Sequence, residues 1–230
     1  NIECDVNTLK WEEKTMKKIF QSIIILTLIL FGFVSCASKK VDITDDPNYL
    51  GNFDPFHVGK VMCLAETTFG KTKPIDVELY FVPRTNSFQS QFRDGMNNVC
   101  LIWTPEQREL LMSSIEKYIT AYNGDVKMED RKPKAKNAFE TGKIEIYWGL
   151  AGYTRNTLAN YYTNYEYLEE NKPYFKINVS ATPYPEEEHV SSPTVVLYFS
   201  PSQLENLIEV TDYDSILEQV KALEKAAYEW

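Results

Sequence analysis

Hydrophobic and polar positions alternate in short runs through most of the chain after residue 57. Ile75, Val77, Leu79 and Phe81 alternate with Asp76, Glu78 and Tyr80, the period-2 mark of a half-buried strand. Lys60–Phe69 is similarly apolar and β-branched, and Gly70–Pro74 makes the turn between the two. Ser87–Arg93 alternates again, Asp94-Gly95 is a turn signal, and Asn98–Trp103 reads as a further strand. Later strands are expected at Lys143–Leu150, Pro173–Ala181 and Thr194–Phe199. Tyr161–Leu168 fits a strand or a helix. Gly149–Asn160 and the proline-rich Thr182–Pro193 read as loops, as does the mixed-charge stretch Lys127–Lys136.

The period changes after Trp103. Thr104-Pro105-Glu106-Gln107 places Thr at an N-cap, Pro at the first helical position and Gln at the third. Pro is tolerated there because its missing N–H would be unpaired in any case, and Thr and Gln can bond reciprocally as a capping box. Leu111, Ile115, Tyr118, Ile119 and Tyr122 follow at helical spacing until Asn123-Gly124. The device returns 96 residues on, where Val195–Leu207 matches Val99–Leu111 at six of 13 positions. Duplication of a strand–helix unit, with halves at about 60–124 and 140–214, competes with convergence on a good helix start. A last helix is expected from Ser215-x-x-Glu218, with Ile216, Leu217, Val220, Leu223 and Ala227 on one face. The elements sum to an α+β fold, a mainly antiparallel sheet with two or three helices packed on it.

The first 56 residues read differently. Met16–Cys36 has two lysines, an apolar run from Ile19 to Val34, then Ser35 and Cys36. Those are the parts of a secretory signal peptide, and the run is shorter than the roughly 20 residues that span a bilayer. The segment resembles a bacterial lipoprotein signal peptide, with Cys36 at the position that is diacylglycerylated and Ser35 as the small residue before it. Phe33 stands where that pattern usually has Leu, so the match is to the looser lipobox of spirochaetes. The resemblance implies a lipid anchor at Cys36 and a place in the bacterial cell envelope, and Ala37 favours the outer membrane. Residues 1–15 precede a good start and are expected to be upstream, non-native sequence; 16–35 would be the signal peptide, 36–56 a flexible tether and 57–230 one domain.

Composition narrows the function classes. Lys+Arg is 24 against Asp+Glu 33, a formal net charge of −9, which argues against nucleic acid as a partner. An aromatic share of 13% is too high for a disordered chain. No phosphate-binding loop, nucleophile elbow or metal-ligand spacing occurs, and Glu186–His189 reads as a solvated loop tip. No cofactor is expected. Cys63 and Cys100 lie in apolar strands, where a disulfide outside the cytoplasm competes with two buried thiols. Trp148, Tyr153, Arg155, Tyr161 and Tyr165 form the densest cluster of rings with polar tips, suited to a protein or saccharide partner. The expectation is therefore a lipid-anchored, non-enzymatic binding module, with an envelope hydrolase using carboxylates and a structural lipoprotein as alternatives.

Overall fold

The computed structural model describes residues 43–67, 70–124, 128–130, 132–169 and 172–228. Its strands are β1 (Phe56–Glu66), β2 (Thr72–Val82), β3 (Ser87–Asp94), β4 (Asn97–Trp103), β5 (Glu140–Gly149), β6 (Arg155–Glu169), β7 (Lys172–Val179) and β8 (Val195–Phe199). Each pairs antiparallel with the next, and β8 returns to β1 through Leu64↔Tyr198 and Ala65↔Leu197. The result is a closed eight-stranded barrel. This corrects the expected α+β sheet with helices packed on it. The inner face of each strand is covered by strands from across the lumen, and the helices close one end of the barrel instead of covering a sheet face.

The pleat sorts the side chains. Val61, Cys63 and Ala65 of β1, Val77, Leu79 and Phe81 of β2, and Val99, Leu101 and Trp103 of β4 are buried in one core. Ile144, Ile146 and Trp148 of β5 and Phe175, Ile177 and Val179 of β7 join them. Large apolar groups removed from water contribute about 1.5–3 kcal/mol each, so the filled lumen is the main source of stability. Lys60, Asp76, Glu78, Lys143 and Glu145 occupy the alternate, outward positions and none of them is buried. A transmembrane barrel has the reverse pattern, apolar outside and polar within. Among the described residues no helix is long and apolar enough to cross a membrane.

Three α-helices are described: α1 (Pro105–Asn123), α2 (Pro201–Val210) and α3 (Tyr213–Tyr228). Because every neighbour is antiparallel, β4 and β8 end on the same side of the barrel, and α1 and α2 start there. Both capping boxes form: the Gln107 and Gln203 side chains accept from the Thr104 and Ser200 N–H at 2.8 Å. Leu111, Ile115 and Tyr118 of α1 and Leu204 and Leu207 of α2 are buried in the lumen core, closing this end. Gly59 of β1 lets α2 approach, since a Cβ there would meet Val210 Cγ1 at 2.5 Å. Each half of the chain thus runs four strands into a Pro-capped helix.

Some element boundaries differ from the sequence expectation. Arg155–Asn160, expected in a loop, is the first part of β6, and the ambiguous Tyr161–Leu168 continues that strand. The last helix is capped by Asp212, not Ser215: the Asp212 carboxylate accepts from the Ser215 N–H at 3.0 Å and from its hydroxyl at 2.6 Å. Residues 43–56 belong to the same compact unit as the barrel. Leu50 and Phe53, expected in the tether, pack on the core, and the Leu50 N–H donates to the Pro83 carbonyl at 2.9 Å.

Candidate functional site

β5 and β6 set the positions of the aromatic cluster. Trp148 lies opposite Arg155, and Gly142 lies opposite Tyr161, so the cluster is stretched along the barrel. Trp148 is buried, with its ring edge on Tyr184 at 5.8 Å. Arg155 donates through Nε and Nη2 to the two Glu187 oxygens at 3.0 and 3.1 Å. That bidentate pair and the Pro183↔Ser191 bridge hold the 180–194 loop at the end opposite the helices. Tyr153 is exposed at the same end and donates to Gln91 Oε1 at 3.1 Å. Tyr161 and Tyr165 lie nearer the helices. Tyr161 is buried edge-on to Trp103 at 5.6 Å, and the Tyr165 hydroxyl donates to the Glu129 carbonyl at 2.7 Å. The five residues therefore do not converge on one surface.

A pocket of 590 Å³ opens instead at this loop end. Its walls come from Glu66 and Thr67 at the end of β1, Asp94–Asn97 where β3 turns into β4, Leu150 after β5, and Pro193, Thr194 and Val196 before and within β8. Met96 is 81% exposed and Leu150 66%. Two acidic residues thus line a cleft with an apolar rim. The sequence reading missed these residues. The available signal was Met96 directly after the Asp94-Gly95 turn, a large apolar side chain where a turn tip exposes it.

Glu66 also anchors a network on the outer face. The Tyr198 hydroxyl lies 3.0 Å from Glu66 Oε2 and 3.0 Å from Glu166 Oε2. Lys176 Nζ donates to Glu166 at 2.7 Å and lies over the Tyr198 ring at 5.2 Å. Burial above all, and then the facing carboxylates, push the Tyr198 ionisation well above the usual tyrosine range.

A family model described as "Uncharacterised Treponema protein" matches residues 8–218. The chain belongs to this family. It is also similar to an uncharacterized protein of Treponema pallidum (strain Nichols), 23% identical over 193 residues that span 81% of this chain and 67% of that protein. No solved structure matches. In this member of the Treponema family Cys63 faces the lumen, whereas Cys100 alternates with the lumen residues Val99 and Leu101 and faces outward. Both are free, so the expected disulfide alternative is not formed. Burial pushes both thiols up to about 12, which makes them inert small hydrophobes. His57 lies 2.7 Å from Glu78. No group of three or more His, Cys, Asp or Glu suited to a metal occurs among the described residues. Cys36, the expected lipid site, lies outside the described residues.

Proposed function

We propose that this Treponema-family chain is a lipid-anchored envelope protein whose barrel is a non-enzymatic binding module, presenting its loop-end mouth to a protein partner. The anchor follows from the lipoprotein-like segment Met16–Cys36, and Ala37 favours the outer membrane. The mouth carries the reading. Met96 and Leu150 stand exposed around a cleft that holds Glu66 and Asp94, and exposed apolar side chains beside a polar site mark interaction surfaces. A partner offering an apolar contact and a Lys or Arg fits that chemistry. A saccharide would want the stacked rings, but Trp148, Tyr161 and Tyr165 are buried.

The test has two parts. Intact-mass analysis from a bacterial host should find diacylglycerol on Cys36 and lose it in Cys36→Ala. A photo-crosslinking residue at Met96 should then trap one defined partner in the native envelope, and one at Lys60 on the outer barrel wall should not. Equal trapping at both positions, or none at Met96, overturns the mouth as the docking site. The hydrolase alternative keeps one supporting observation, two acidic residues lining one cleft. Turnover of a chromogenic glycoside abolished by Glu66→Gln would establish it instead.

A further inference from the structure

The helix end holds a second site of different chemistry. A cavity of 40 Å³ lies between the lumen and helices α1 and α2, room for about three water-sized spheres. Its wall is almost entirely apolar, from Leu79, Leu101, Ile177, Leu197 and Phe199 to Leu111 and Leu207 of the helices. Of the wall residues only Arg108, Met112 and Thr211 are not buried, so they mark the entrance. Arg108 is the odd group there. Its guanidinium is stacked 4.5 Å from the Tyr213 ring centroid and 5.3 Å from that of Phe88. Both terminal nitrogens reach the Asn86 side-chain oxygen at 3.4 Å, a long contact. Among the described residues no carboxylate pairs with it, whereas Arg155 and Arg84 each have one. Tyr213 also accepts a side-chain hydrogen bond from it and the charge of the exposed Glu109 acts on it, so what the half-buried guanidinium lacks is a carboxylate in direct contact, which an incoming anion would supply.

We propose that this cavity binds a small amphiphile with an anionic head, a short- to medium-chain alkyl carboxylate, with the tail in the lumen slot and the carboxylate on Arg108. The cation stands at the mouth of an apolar slot, and the fork of Arg matches a carboxylate in shape as well as charge. The site is separate from the loop-end mouth and stands or falls independently of it. The net charge of −9 repels anions in general, so carboxylate binding would report a local site, not adsorption.

Titration calorimetry of the purified full chain with butyrate, hexanoate, octanoate and decanoate is the test. Affinity should rise about fourfold with each methylene buried, then level off once the slot is full. Octylammonium should bind at least tenfold more weakly than octanoate, and Arg108→Gln should lower octanoate affinity by about tenfold or more through the lost charge-assisted contact. Lys60→Gln on the outer barrel wall should leave octanoate binding unchanged. No binding of octanoate overturns the proposal, as does equal binding of octylammonium or affinity that climbs with chain length without a plateau. If Arg108→Gln fails to fold, the comparison of octanoate with octylammonium on the unaltered protein decides alone.

Discussion

At Tyr161 the barrel leaves a buried hydroxyl with no hydrogen-bond partner among the described residues. The reason is the residue across the strand pair. A Cβ at Gly142 would lie 2.7 Å from the Tyr161 ring and 3.1 Å from its oxygen, so the missing side chain opens the space that the ring fills. Burial pushes the Tyr161 ionisation up to about 12, with Glu140 adding to it. An unpaired buried hydroxyl costs about 1–3 kcal/mol, while the ring contributes packing against Trp103. Tyr161→Phe keeps the ring and removes the orphan, so urea unfolding should find the variant as stable as the parent or more so. A loss above about 1 kcal/mol would mean that the hydroxyl has a partner such as a buried water. The same scale explains why the mouth escaped sequence reading. Glu66, Asp94 and Leu150 come from three separate turns, and nothing local in the chain marks them as neighbours. Arg108 reads in sequence as one more polar residue of an amphipathic helix; only Phe88 and Tyr213, from distant elements, make it unusual.

Among the elements, the caps were legible because they are local. Thr104 and Ser200 each head a four-residue pattern with Gln at the fourth place, and both boxes form as that spacing requires. Thr104→Ala and Ser200→Ala should each cost about 0.5–2 kcal/mol. The two caps serve separate helices and share no hydrogen bond, so the double variant should lose close to the sum. Thr104→Ser should be nearly neutral. Denaturant midpoints at constant slope would measure all of these, and strong non-additivity would show that α1 and α2 close the barrel end as one unit. Elements whose signal was weak were misread for a physical reason. Arg155–Asn160 faces water at most positions, with only Ala159 fully buried, so it lacks the apolar alternation that announces a strand. The Asp212 cap went unseen because Ser215 and Glu218 make an equally good local pattern three residues later.

Closure of the whole molecule was not legible in the sequence, because it depends on a pairing between the first strand and the last. Alternation tells which side chains face inward, and an open sheet under helices would use the same alternation. The seam itself is short: two residue pairs join β1 to β8, against ten between β1 and β2. Tyr198 compensates from outside, since its hydroxyl contacts Glu66 of β1 and Glu166 of β6 while Lys176 of β7 lies over its ring. One side chain thereby ties both sides of the seam. Tyr198→Phe removes the shared hydroxyl and should cost about 1.5–3 kcal/mol, the range for hydrogen bonds to charged groups. The loss should be local before it is global, with faster hydrogen exchange at the β1 and β8 amides that face each other and little change at the β1–β2 amides. The pH dependence has a definite sign. Native Tyr198 resists ionisation, whereas in the unfolded chain it ionises near the ordinary tyrosine value of about 10. The unfolded state therefore binds fewer protons above that pH, and stability must fall as pH rises through that range, while below it this group adds no pH dependence. In Tyr198→Phe this part of the alkaline loss disappears, so the stability gap between parent and variant should narrow above pH of about 10. A gap that stays constant across that range would show that the hydroxyl does not latch the seam.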